Sequence, residues 1–126
     1  MFTHVMIGTN NAEAATRFYD AVLGALNIRG QKMGDRAFYR HDGMAFGVGS
    51  PANGEPATFA NGGTIGFKAA SKEEVDAFHK AGLEAGGTCD GPPGKRPKAP
   101  GNAYGAYLRD PDGNKICSFC QLPPDA

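Results

Sequence analysis

The chain has 126 residues, with 13 basic and 13 acidic side chains and a formal net charge of zero. That length suits one domain, and the balanced charge offers no cationic face for nucleic acid or for an anionic membrane surface. We therefore expect a single domain over residues 1–126 whose partner is a small molecule.

No stretch of the sequence predicts a membrane segment. The first residues lack a charged region followed by an apolar run, and no later apolar run is long enough to cross a bilayer. The cysteines Cys89, Cys117 and Cys120 lack zinc-finger spacing, so reduced thiols are expected. Together these features predict a cytoplasmic protein.

The first part of the chain predicts a strand, a helix and three more strands. Residues 3–8 predict a strand with Val5 and Ile7 on one face and His4 and Met6 on the other. Asn10 or Asn11 can cap a helix with one buried stripe. Three further strands are predicted at residues 28–33, 37–40 and 44–48. Asp42 and Gly43 join the last two, because both residues tolerate the positive φ of a tight turn.

A linker divides the chain into two modules. Residues 51–62 are rich in proline and glycine, which favour irregular structure. Module one therefore covers residues 1–50, and module two covers residues 63–122.

Module two begins with an alternating strand at residues 64–69. Ser71 and Glu74 form a capping box at the start of a second helix. Residues 91–101 contain four prolines and predict a loop, because proline cannot donate a hydrogen bond to a neighbouring strand. The last two strands are predicted at residues 104–108 and 115–119.

The second module repeats the first. A shift of 60 residues places Val5 on Ile65 and Phe18 on Phe78, and a shift of 70 residues superposes the two Asp-Gly turns. The same shifts nominate four matching strand positions: His4, Gly47, Thr64 and Cys117. We therefore predict an α+β fold of two βαβββ modules whose curved mixed sheets surround a central cavity.

Two segments of the sequence resemble motifs of a known protein superfamily: the opening strand with His4, and the closing hairpin of residues 109–116, RDPDGNKI. With the two repeated units, they make nearly the whole chain resemble the vicinal oxygen chelate superfamily. That superfamily includes glyoxalase I, bleomycin- and fosfomycin-resistance proteins, and extradiol dioxygenases. The resemblance implies helices outside two half-barrels, a ligand cavity, a divalent metal that stabilises an oxyanion, and a homodimer.

The sequence departs from that family at its metal ligands. Relatives usually carry a histidine where this chain has Thr64 and a glutamate where it has Cys117. Glyoxalase I adds a glutamate near Gly47, so only His4 is retained. A divalent ion needs about three protein donors. The resemblance leaves His4 and Cys117 as candidate ligands for zinc, nickel or iron, and no other cofactor is predicted.

Other candidate site residues follow from position and chemistry. His4 could also act as a general base, since histidine is the side chain whose reference pKa lies near neutrality, and Thr64 could orient a substrate oxygen. Tyr104 lies where relatives have an aromatic residue lining the cavity, and Arg96 in the basic loop could attract an anionic substrate. The alternatives are a pocket-wall histidine, a strand threonine, a core tyrosine and a solvated arginine.

Four further residues have mainly structural interpretations. Cys117 in a strand is typically a small buried hydrophobe, although a nearby cation could make its thiol a nucleophile. His41 adjoins the predicted turn and His79 lies on the second helix, so both are expected to face solvent. Gly47 joins the substrate-binding set only through its matched strand position.

Two functions remain open. One is a glyoxalase-like lyase or isomerase that acts on a small carbonyl-containing or conjugated molecule, and the retained His4 favours it. The other is metal-free sequestration of a flat or apolar compound in a groove between two subunits, as in bleomycin-resistance proteins. The replaced ligands at Gly47, Thr64 and Cys117 favour this second function.

Overall fold

The computed structural model describes all 126 residues and contains two helices and eight strands. Each half of the chain runs strand, helix and three strands, which confirms the predicted α+β fold of two βαβββ modules. In chain order the elements are β1 His4–Gly8, α1 Ala12–Gly24, β2 Gly30–Met33, β3 Arg36–His41, β4 Met44–Gly49, β5 Ile65–Lys68, α2 Lys72–Glu84, β6 Thr88–Lys95, β7 Ala103–Arg109 and β8 Lys115–Gln121.

The strands form two mixed sheets with the same internal order. Sheet one is β1-β4-β3-β2 and sheet two is β5-β8-β7-β6, and in each the first pair is parallel. Val5 pairs with Phe46 in sheet one, and Ile65 pairs with Ile116 in sheet two. The two pairs are equivalent under the sequence shifts, which place Val5 on Ile65 and Phe46 on Ile116. No strand of one sheet pairs with a strand of the other, so the sheets stay open in one chain.

Side chains cap both helices where the sequence places the caps. Asn11 Oδ1 accepts a hydrogen bond from the Ala14 amide at 3.0 Å, and Ser71 Oγ accepts one from the Glu74 amide at 3.1 Å. Glu74 reaches back to the amide of Ala70 at 2.9 Å, which completes the second cap. Neither helix has the length and apolar character needed to span a bilayer.

One core joins the two modules. It contains residues of both helices together with the helix-facing side chains of both sheets. Phe46 of sheet one meets Phe67 of sheet two edge to face, with ring centroids 5.1 Å apart. Since side chains alternate along a strand, His4 and Cys117 lie on the opposite face of their sheets, which we call the outer face.

The closing hairpin of module two is anchored by the buried carboxylate of Asp110. The carboxylate accepts hydrogen bonds from the amides of Asp112 and Asn114, each at 2.9 Å, and from the Asn114 side chain at 2.9 Å. Its fourth donor is the hydroxyl of Tyr19 on α1, at 2.6 Å. The Asn114 side chain also donates to the carbonyl of Gly8 at 3.2 Å. The hairpin therefore binds directly to module one.

Three local predictions are wrong. Residues 91–95 belong to β6 and not to a loop, because β6 is an edge strand whose pairing skips from Gly91 to Gly94 and leaves the intervening prolines unpaired. The second strand starts at Gly30 and not at residue 28, since Ile28 packs against the core. His79 is buried, whereas His41 is exposed as predicted.

Removing the Tyr19 hydroxyl should weaken the contact between the modules. Tyr19→Phe leaves one oxygen of buried Asp110 short of a donor, so we expect a loss of about 1.5–3 kcal/mol in the free energy of unfolding. Urea unfolding measures this change. Tyr107→Phe is the control, because the Tyr107 hydroxyl makes no hydrogen bond, and equal losses in the two variants would contradict the assignment.

The two helical glycines should respond oppositely to alanine. A Cβ at Gly24 meets no atom within 4 Å, so Gly24→Ala should stabilise the chain by about 0.5–1 kcal/mol through helix propensity. A Cβ at Gly82 would press on Leu108 and lie 3.1 Å from Val22, so Gly82→Ala should destabilise it by about 1–3 kcal/mol. Thermal unfolding compares the two, and changes of the same sign would refute this account.

Candidate functional site

Two of the matched strand positions are open to solvent. His4 is exposed at the start of β1, where its Nδ1 lies 2.8 Å from the hydroxyl oxygen of Thr3, and its Nε2 has no hydrogen-bond partner. Thr64 is exposed just before β5. Neither His4 nor Thr64 makes a hydrogen bond to Cys117.

The other two matched positions are closed by their neighbours. Gly47 is buried, and a Cβ there would collide with the sulfur of Met6 and lie 2.9 Å from the ring of Phe38. Those side chains occupy the space that a longer residue at this position would need. In the equivalent pair of sheet two, a Cβ at Gly66 would lie 3.2 Å from the Cys117 sulfur.

The thiol of Cys117 is neutral at physiological pH. Burial raises the pKa of Cys117 from 9.0 to about 11, against a smaller opposing effect of Lys115. The thiolate is the form that binds metals and attacks electrophiles. Cys117 in this environment therefore behaves as a small buried group.

The residues at the matched positions do not fit a divalent metal. Gly47 offers no donor and Thr64 offers a neutral hydroxyl, so these positions supply at most the imidazole of His4 and the thiol of Cys117, fewer than the three donors that a divalent ion needs. No group of three or more histidine, cysteine, aspartate or glutamate side chains in the chain is placed to hold a metal ion. Metal binding by His4 and Cys117 stays a prediction.

Sheet two carries an aromatic pair with two cations on its outer face. The rings of Tyr107 and Phe119 meet edge to face at 5.6 Å between centroids. The Arg96 guanidinium lies 5.6 Å and the Lys115 ammonium 4.9 Å from the centroid of the Tyr107 ring. We call these four residues the basic aromatic face.

Charge on the basic aromatic face is unevenly compensated. Lys115 lies 3.7 Å from the carboxylate of Asp90, which also pairs with Arg109 at 3.0 Å. Arg96 forms no salt bridge and donates only to the backbone carbonyls of Pro92 and Lys95. Its positive charge is therefore available to an anion.

Sequence reasoning chose Arg96 but missed the other members of this face. It selected Tyr104, whose side chain turns toward α2 and donates a hydrogen bond to Asp76 at 2.6 Å. Tyr107 lies three residues after Tyr104 on the same strand. Because successive side chains of a strand point to opposite faces, Tyr107 points to the outer face. Counting the alternation from the core residue Leu108 would have assigned Tyr107 correctly.

A cavity of about 850 Å³ lies on the helix side, between the end of α1 and strands β1, β4 and β5. It is mainly apolar, and Thr64 is the only predicted site residue that lines it. A second cavity of about 350 Å³ lies between β1 and the linker. Neither contains His4, Gly47, Arg96, Tyr104 or Cys117.

Raising the pH from 9 to 11 should lower stability through Cys117. The unfolded chain loses this thiol proton near pH 9.0, whereas the folded chain keeps it to about pH 11. The folded state then binds more protons than the unfolded state, so its stability falls as the pH rises. Urea unfolding across this range should give a shallower decline for Cys117→Ala than for wild type, and identical slopes would show that the thiol is not held protonated.

Comparisons with known proteins agree with this architecture. Residues 1–118 match the glyoxalase/bleomycin resistance protein/dioxygenase superfamily. A glyoxalase/bleomycin resistance protein from Albidiferax ferrireducens T118 is 55% identical, with a TM-score of 0.90 over 94% of this chain and 98% of that chain.

More distant structures share the fold. A glyoxalase-related enzyme from Fulvimarina pelagi is 20% identical, with a TM-score of 0.76 over 94% of this chain and 86% of that chain. Lactoylglutathione lyase from Agrobacterium tumefaciens is 22% identical, with a TM-score of 0.65 over 94% and 92%. No functionally curated protein matches the chain. The family match over most of the sequence, together with the paired βαβββ modules, shows that the chain belongs to the glyoxalase/bleomycin resistance protein/dioxygenase superfamily.

Proposed function

We propose that this protein binds a small, flat molecule with an anionic or carbonyl group and holds it without a resident metal. The observation that carries the proposal is the basic aromatic face. An aromatic pair offers a planar apolar surface for stacking, and the unpaired guanidinium of Arg96 offers a charge-assisted hydrogen bond. Sequestration in the cytoplasm, as in bleomycin-resistance proteins, is the role that this arrangement supports best.

A homodimer is part of the proposal. The outer face of sheet one carries Met6 and Met33, which are 43% and 56% exposed. Covering these two side chains with a second chain would remove their apolar surface from water, which favours association. If sheet one of one subunit faces sheet two of the other, the dimer places His4 opposite Cys117 and encloses the basic aromatic face. The predicted central cavity would then lie between the sheets of two subunits, because the two sheets of one chain do not close around it.

Binding of an aromatic anion tests the proposal. Anilinonaphthalene sulfonate, titrated by fluorescence, should bind the wild-type protein. The protein is first shown by elemental analysis to be free of metal. Arg96→Gln should raise Kd about tenfold, because it removes a charge-assisted contact. Lys98→Gln is the matched control, since Lys98 is an exposed cation of the same segment without an aromatic contact.

Equal weakening by Arg96→Gln and Lys98→Gln would mean that only the general charge of the loop attracts the probe. Unchanged affinity in both variants would place the probe elsewhere and end the proposal. Sedimentation equilibrium with Met6→Lys tests the dimer, which this substitution should dissociate because it places a charge in the proposed contact.

The second candidate function is that of a glyoxalase-like lyase or isomerase with His4 as general base. Its support is the exposed imidazole, whose Nε2 has no partner in the chain and can take a proton from a substrate. Isomerisation of the hemithioacetal of methylglyoxal and glutathione is the assay, run with zinc, nickel or ferrous iron added in turn. Turnover that disappears in His4→Ala would favour this function over sequestration.

A further inference from the structure

Cys89 and His79 form a pair that lies outside the site described above. Cys89 is an exposed residue of β6, and His79 is a buried residue of α2. The imidazole Nε2 lies 3.1 Å from the cysteine sulfur. A thiol within hydrogen-bond reach of a histidine is the arrangement that activates cysteine nucleophiles.

A backbone amide also points at the sulfur. The pairing of β6 with β7 is irregular between Cys89 and Gly91, and the Gly91 amide donates to the Cys89 sulfur at 3.4 Å. An amide in this position stabilises negative charge that develops on the sulfur. The exposed thiol therefore has a base on one side and a donor on another.

The environment of His79 suits a proton acceptor. Burial lowers the pKa of His79 and so favours its neutral ring, while Asp76 on the same helix has a smaller opposing effect. With its proton on Nδ1, the ring can accept the thiol proton at Nε2. The carboxylate of Asp90, the residue after Cys89, pairs with Arg109 and Lys115. The Arg96 guanidinium lies beside Gly91, where a Cβ would come within 3.3 Å of it.

The other two cysteines have no histidine within hydrogen-bond distance. Cys117 and Cys120 are buried, and burial raises the pKa of each thiol, which is increased further at Cys120 by the acidic residues of α2. Neither makes a hydrogen bond to a histidine. Of the three thiols, only Cys89 is exposed and hydrogen-bonded to a histidine, whereas Cys117 and Cys120 are buried and their burial favours the protonated form.

We propose that Cys89 is a reactive thiol that exchanges with small-molecule disulfides, with His79 as its base. The Cys89 proton moves to His79 Nε2 as the sulfur attacks one sulfur of the disulfide R–S–S–R. The bond between Cys89 and that sulfur forms while the original S–S bond breaks. The leaving RS⁻ takes the proton from His79, so one RSH is released for each Cys89–S–S–R formed and no other oxidant is consumed.

Two disulfide probes test this reaction on the whole chain. Oxidised glutathione at neutral pH should add one glutathionyl group per chain, and peptide mapping should place it on Cys89. Dithiobis-nitrobenzoate reports the rate through the released nitrothiobenzoate. Cys89→Ser should abolish the fast phase, and His79→Gln should slow it about tenfold or more.

The dependence on pH separates a base from a structural histidine. Above about pH 9, where an unassisted thiol ionises by itself, the His79→Gln and wild-type rates should converge. His41→Gln is the control, because His41 is exposed and pairs with Asp42 away from the cysteines. Circular dichroism verifies that His79→Gln folds. Peptide mapping uses only the wild-type protein, so it tests the reactivity of Cys89 even if that variant does not fold.

Two results would overturn the proposal. One is labelling of Cys117 or Cys120 in the wild type as fast as labelling of Cys89. The other is a folded His79→Gln variant that reacts at the wild-type rate at neutral pH. Neither result bears on the proposed binding of an aromatic anion, because that binding is measured with a different probe and with variants of Arg96 and Lys98.

Discussion

The structure depends on the buried carboxylate of Asp110, which holds the two modules in one arrangement. A buried carboxylate is costly unless each oxygen is hydrogen-bonded, and here each oxygen has two donors. Three of those donors belong to the closing hairpin and one, Tyr19, belongs to α1 of the other module. The same group thus shapes the hairpin and docks it onto module one.

That docking has a consequence for function. Because the modules share one core through their helix-facing sides, the outer faces of both sheets remain available for ligands and partners. His4 lies on one outer face and the basic aromatic face lies on the other. A ligand enclosed by both faces requires a second chain, whereas the pair of Cys89 and His79 is complete within one chain.

Much of the backbone plan could be predicted, because it follows from local periodicity. Alternation predicted β1 and β5, Asn10 or Asn11 and Ser71 predicted the helix starts, and the repeat predicted that both modules share one plan. Most of β6 was instead predicted to be a loop. Side-chain environment was harder to predict. His79 was expected in solvent beside buried Phe78, yet it is covered and contacts Cys89 on a strand ten residues later. Helical spacing alone cannot show how far a neighbouring strand covers a helix.

The sequence by itself determined the two-module fold and the family, since both depend on residue type and spacing along the chain. Only the tertiary structure decided which groups meet. The donors to Asp110, the cations over Tyr107 and the thiol beside His79 come from separate elements. Their contacts depend on how sheets and helices pack, and packing is a property of the whole chain that no local pattern records.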